Sequence, residues 1–154
     1  DIHRGQAMTT PEGLVLDVFQ FADEGGFLRL NADAPAEMSR LLENVVAGSI
    51  DVPTLLLGKL QSLLYRNRRF DNEHSRKYTV LELVADDAPG LLYRISRVIS
   101  ACGCDVDLVL ISTEGKKAVD VLHITRQGKK LTESEQVSLR EGLERMLEDT
   151  HEAR

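Results

Sequence analysis

The feature that most restricts how this chain can fold is an internal repeat. Residues 1–21, DIHRGQAMTTPEGLVLDVFQF, lie over residues 105–124, DVDLVLISTEGKKAVDVLHI, with Asp1 on Asp105 and Thr9 on Thr113. After one extra residue in the turn, Leu16-Asp17-Val18 falls on Val119-Asp120-Val121. A repeat of this kind means that one supersecondary unit is used twice. In each copy, apolar and β-branched runs are broken by a reversal, Pro11-Glu12-Gly13 in one and Glu114-Gly115-Lys116 in the other, which reads as a β-hairpin.

A helical pattern follows each hairpin. Met38, Leu41, Leu42, Val45 and Val46 recur at a 3.6-residue period in the first copy, and Leu139, Leu143, Met146 and Leu147 in the second. The first helix is expected to start at Asp33 or Ala34, where Pro35 is tolerated in the first turn. Thr132 and Glu135 fit a capping box at the start of the second, because each side chain can satisfy an amide left free at the helix end.

Only the second copy has elements ahead of its hairpin. YTVLELVAD from Tyr78 alternates as a strand, with Leu81, Leu83 and Ala85 expected on the buried face. A helix is expected from Pro89 to about Cys102, with Leu91, Leu92, Ile95, Val98 and Ile99 inward and Gly103 after its end. The order strand, helix, strand, strand, helix is that of a ferredoxin-like βαββαβ unit, an α+β fold with antiparallel sheet and helices on one face. The first copy lacks the leading strand and helix. The tail EDTHEAR is too polar for a final strand, so the second unit has three strands of its own on this reading. DVPTLLLGKLQSLL reads as a further short amphipathic helix, and YRNRRFDNEHS as a strand with a linker. The boundary is placed at Phe70 to Ser75, giving units at residues 1–75 and 76–154.

A net charge of -6 disfavours nucleic acid and anionic membrane as partners. No run approaches the length of a membrane span, and the start DIHRGQAMTT has no signal pattern, so a cytoplasmic location is expected. The absence of an initiator Met suggests a part of a longer protein or a processed product. Cys102 and Cys104, one residue apart, read as buried structural thiols. His3, His74, His123 and His151 are scattered, so no metal site is expected, and no motif of a catalytic centre or cofactor site is present. Arg66, Arg68, Arg69, Arg76 and Lys77 form a basic cluster that reads as a solvated linker or docking surface.

Between the Tyr78 strand and its helix stands ADDAPGLLYR, residues 85–94. Proline fits a first helical turn, and glycine lets a ligand approach the backbone. The first amides of a helix bind anions such as a carboxylate, and an adjacent aspartate can take up an ammonium group, so together they describe a free amino acid. The alternative is that Asp86 or Asp87 simply caps the helix.

Asp87-Ala88-Pro89-Gly90-Leu91-Leu92 resembles the D-x-P-G-L-L signature of ACT domains, ferredoxin-like modules that bind amino acids and regulate the proteins carrying them. Ala118-Val119-Asp120-Val121 resembles an ACT strand, and Phe70-Asp71-Asn72-Glu73 the linker between the paired ACT domains of PII-protein uridylyltransferase/uridylyl-removing enzymes. Ala88 stands where that family often has arginine. The resemblance implies a non-catalytic C-terminal regulatory region with two ACT modules in tandem, and a ligand site at Asp87, Ala88, Pro89, Gly90, Leu91 and Leu92. It further implies glutamine as ligand and the catalytic domains of a longer chain as partners; homo-oligomers are expected because the truncated first unit leaves a strand edge and a helix face without cover. A ligand-free association module, with a purely structural turn, is the alternative. On either reading the repeated Asp17 and Asp120 point to shared architecture.

Overall fold

The computed structural model describes residues 2–56 and 65–148. Its strands are β1 (Ile2–Thr9), β2 (Val15–Phe21), β3 (Tyr65–Asp71), β4 (Thr79–Asp86), β5 (Asp105–Glu114) and β6 (Lys117–Thr125). The helices are α1 (Phe27–Leu30), α2 (Ala34–Val46), α3 (Val52–Leu56), α4 (Leu91–Ala101) and α5 (Glu133–Glu148). All six strands join one antiparallel sheet in the order β2-β1-β5-β6-β4-β3, and the fold is α+β and ferredoxin-like.

The core belongs to the second copy. Leu81, Leu83 and Ala85 of β4 are at most 1% exposed, as their alternation predicts, and pack with Leu122 and Ile124 of β6 under Ile95 and Ile99 of α4 and Leu139 and Leu143 of α5. The two helices approach closely at Gly142, where a Cβ would lie 2.9 Å from Val98 Cγ1. Both expected end signals form. Thr132 N donates to Glu135 Oε2 at 2.8 Å and Glu135 N to Thr132 Oγ1 at 3.4 Å. Gly103, with φ +67°, donates to Ser100 O while Cys104 donates to Ile99 O, the double closure of a Schellman motif.

The register between the hairpins uses the repeat. Gln6 of β1 pairs with Leu110 of β5, the residue the repeat carries it onto, while Arg4 pairs with Ser112 and Met8 with Leu108. The equivalents of Met8 and Arg4 have exchanged places, so a local two-fold axis runs through the Gln6–Leu110 pair. Gly5 sits beside it. A Cβ there would lie 2.8 Å from both Ile111 Cδ1 and Phe19 Cδ1, which is why this strand position carries no side chain.

On the other side of the sheet β3 pairs with β4, from Tyr65 opposite Ala85 to Asp71 opposite Val80. It thus takes the edge place beside the unit's first strand that a fourth strand occupies in a βαββαβ fold. The FDNE stretch locks this arrangement. Thr79 Oγ1 donates to Asn72 Oδ1 at 2.6 Å and accepts from Leu131 N at 2.8 Å, while Asn72 Nδ2 donates to Leu131 O at 3.0 Å. Asp71 accepts the backbone amides of His74 and Glu73, which hold its carboxyl well below the usual range.

Several expectations are corrected. The strand expected from Tyr78 begins at Thr79, and the helix expected from Pro89 begins at Leu91. The apolar stripe of α2 does not close over a core: Met38, Leu41, Leu42 and Val46 are 54%, 41%, 62% and 81% exposed. The repeat explains the contrast, because α5 packs beside α4 and α2 has no counterpart of α4 among the described residues. The Leu57–Leu64 part of the further amphipathic helix, the side chain of Leu147 and the tail residues 149–154 lie outside the described residues.

Candidate functional site

The residues between β4 and α4 form a tight turn ahead of the helix. Leu91 N donates to Ala88 O at 3.1 Å, and Gly90, the residue that precedes the helix, has φ 80° and ψ 6°. Proline second and a left-handed glycine third define a type II turn. The expectation that Pro89 lies in the first helical turn is therefore corrected. Gly90 is required by its own backbone, since a side chain at positive φ costs on the order of 1–2 kcal/mol. Asp87 N donates to Lys116 O at 2.9 Å, tying the turn to the tip of the β5–β6 hairpin.

No side chain caps α4 among the described residues. The reading in which Asp86 or Asp87 serves as the N-cap is thus not the one the fold adopts. Arg94 N donates to Gly90 O, and the amides of Leu92 and Tyr93 have no acceptor among the described residues. They are first-turn donors available to a ligand.

Leu92 and Tyr93 line a cleft of about 720 Å³. One wall is the turn, with Asp87, Ala88, Pro89, Gly90, Leu91 and Leu92 all on it; the other is the end of the hairpin, Thr113, Gly115 and Lys116, with Ile2 of the first copy reaching the rim. Leu91 and Leu92 also pack into the core, so their side chains anchor the turn.

The floor holds a residue that the sequence reading set aside. Asp120 of β6 stands in register with Leu83 of β4 and Ile111 of β5 and is 3% exposed, yet its Oδ1 has no hydrogen-bond partner among the described residues. Burial, and then the negative charge of Asp87, push its carboxyl up to about 6. The signal was in the alternation of β6: Ala118, Leu122 and Ile124 face inward, and Asp120 occupies an inward place among them. Its repeat partner Asp17 is exposed on β2. Arg94 of α4 is also buried, with Nη1 unpartnered among the described residues, but does not line the cleft.

Other candidates resolve into structure. Three members of the basic cluster pair with acids, Arg68 with Glu144, Arg69 with Asp71 at 3.2 Å and Lys77 with Asp107 at 3.8 Å, while Arg76 is exposed. His123 stacks on Tyr78, ring centroids 5.3 Å apart. Cys104 is buried, which pushes its thiol up, and both cysteines are free. Among the described residues no group of three or more His, Cys, Asp or Glu is arranged to hold a metal, and no helix is long and apolar enough to cross a membrane.

No protein-family model and no solved structure matches the chain. Curated proteins do. It is 32% identical over 133 residues to a bifunctional uridylyltransferase/uridylyl-removing enzyme of Azospirillum brasilense, with 80% of this chain and 14% of that protein covered. The enzyme of the same description from Vibrio campbellii is 30% identical over 157 residues, covering 97% of this chain and 18% of the relative. That of Streptomyces coelicolor is 45% identical over 74 residues, covering 47% and 9%. The chain thus spans less than a fifth of the length of these relatives. These matches make it a homologue of one segment of the bifunctional uridylyltransferase/uridylyl-removing enzymes.

Proposed function

We propose that this segment is the regulatory part of such an enzyme: two ACT modules, residues 1–75 and 76–154, of which the second senses a free amino acid. The observation that carries the reading is the cleft, whose lining brings together the uncapped first turn of α4, Lys116 and the aspartates Asp87 and Asp120. A zwitterion offers one charge to the donors and one to the aspartates. The family likeness supplies glutamine as the effector, the catalytic domains of the longer chain as the element it controls, and uridylylation of PII in the cytoplasm as the controlled reaction. The segment itself is non-catalytic on this reading. Calorimetric titration of the purified chain with a panel of amino acids tests it. Saturable binding of L-glutamine at up to millimolar concentration is expected, and no heat from any member of the panel contradicts it.

A second reading, association between copies, is favoured by β2. Its outer edge is unpaired among the described residues, and Leu14, Val15, Leu16, Val18, Phe19 and Phe21 are 40–69% exposed, whereas its repeat partner β6 is paired on both sides. An apolar open edge of this kind recruits another strand, and a second copy of β2 can supply it antiparallel. Light scattering is expected to give a mass above 17.2 kDa that rises with concentration. A constant mass of one chain contradicts self-association.

A further inference from the structure

The cleft's charges are lopsided. Among the described residues of the lining, Asp87 before α4 and Asp120 on β6 stand with one ammonium, that of Lys116, and Tyr93 of α4 is a further titratable group; Asp86 also lines the cleft and has an interaction of its own. The in-register neighbours of Asp120, Leu83 and Ile111, are apolar and buried. A carboxylate in such a place is normally satisfied by a donor, and a buried oxygen without one calls for an explanation. Asp17 supplies a comparison: at the equivalent place of the repeat, with no such turn and helix above it among the described residues, the same residue is exposed. An inward apolar residue would serve the sheet equally well, as Ala118 and Leu122 do on either side.

We propose that Asp120 is the specificity-determining residue of the cleft, its unpartnered Oδ1 receiving the protonated α-amino group of the bound amino acid, with Asp87 as flanking acid and the free amides of Leu92 and Tyr93 receiving the α-carboxylate. This rests on the amino-acid reading above and adds the group that separates an amino acid from a plain carboxylic acid. The proton balance follows. In the empty cleft, the acid form of Asp120 is populated up to about pH 6. Docking of an ammonium group favours the carboxylate, so the carboxyl proton leaves to the buffer and the ammonium keeps its own.

The test uses the whole chain, L-glutamine, and glutaramate, the same molecule without its α-amino group. The wild type is expected to bind L-glutamine about 10- to 100-fold more tightly than glutaramate, and Asp120→Asn to lose most of that preference by weakening L-glutamine alone. Titrations near pH 6 in two buffers of different ionisation enthalpy are expected to show proton release for the wild type and none for the variant. If the wild type does not distinguish the two ligands, the proposal is overturned without use of the variant. If Asp120→Asn binds L-glutamine as the wild type does, with the same proton count, Asp120 is not the recognition group, although the amino-acid reading stands. If no amino acid of the panel binds the wild type, that reading falls and the proposal with it.

Discussion

Asp120→Asn is expected to make the empty chain more resistant to urea at neutral pH, with the gain disappearing in acid. The group's ordinary value of 3.8 is raised in the fold to about 6, so the folded state binds the proton more tightly than the unfolded chain. Below about pH 3 both states carry the acid form and the wild type loses nothing. As pH rises towards about 6.5 the unfolded chain ionises freely while the folded chain must bury a charge, and stability falls by about 3 kcal/mol. Asparagine keeps the shape and does not ionise. The stability difference between variant and wild type is therefore expected to grow by about 3 kcal/mol across this window, read from urea midpoints at a series of pH values. Parallel pH profiles would show that Asp120 is solvated or paired.

Thr79→Val is expected to cost about 2–4 kcal/mol, although valine fills the same volume. Thr79 is fully buried, and its hydroxyl closes a chain of bonds from Leu131 N to Asn72 Oδ1. Removing it strands a donor and an acceptor at once, each at the cost of desolvation without a partner. Asn72 also donates to Leu131 O, so Asn72→Ala is expected to destabilise as well, and the double variant by less than the sum because the Thr79–Asn72 bond is lost in both. Urea unfolding of the three variants checks this. A loss below about 0.5 kcal/mol for Thr79→Val would mean that the network does not tie β3 to the second unit.

Local signals carried most of the fold. The hairpins, the capping box at Thr132 and Glu135 and the closure at Gly103 each lie within a few residues of chain, where spacing alone specifies the bonds. The alternation of Leu81, Leu83 and Ala85 likewise needs only a period of two. What escaped depends on distant chain. That the β3–β4 connection is tied to the segment before α5 depends on Asn72, Thr79 and Leu131, groups up to 59 residues apart. The exposure of the α2 stripe reflects a missing neighbour, which periodicity within α2 does not report.

The cleft divides in the same way. Its turn was legible because D-A-P-G is contiguous, although the backbone meaning of Gly90 was not: a glycine that admits a ligand and one that completes a type II turn have the same letter. Asp120 was visible as a repeated residue. Its inward place was legible in the alternation of β6, but its lack of a partner among the described residues was not, because β4, β5 and the turn before α4 come together around it only in the fold.

The most direct measurement of the central claim is the L-glutamine titration read residue by residue through backbone amide chemical shifts. The account predicts saturable shifts concentrated at Gly90, Leu92 and Tyr93 and at Lys116 and Asp120, with the α2 and β2 amides unmoved. Shifts confined to α2 or β2, or none at saturating glutamine, would contradict it.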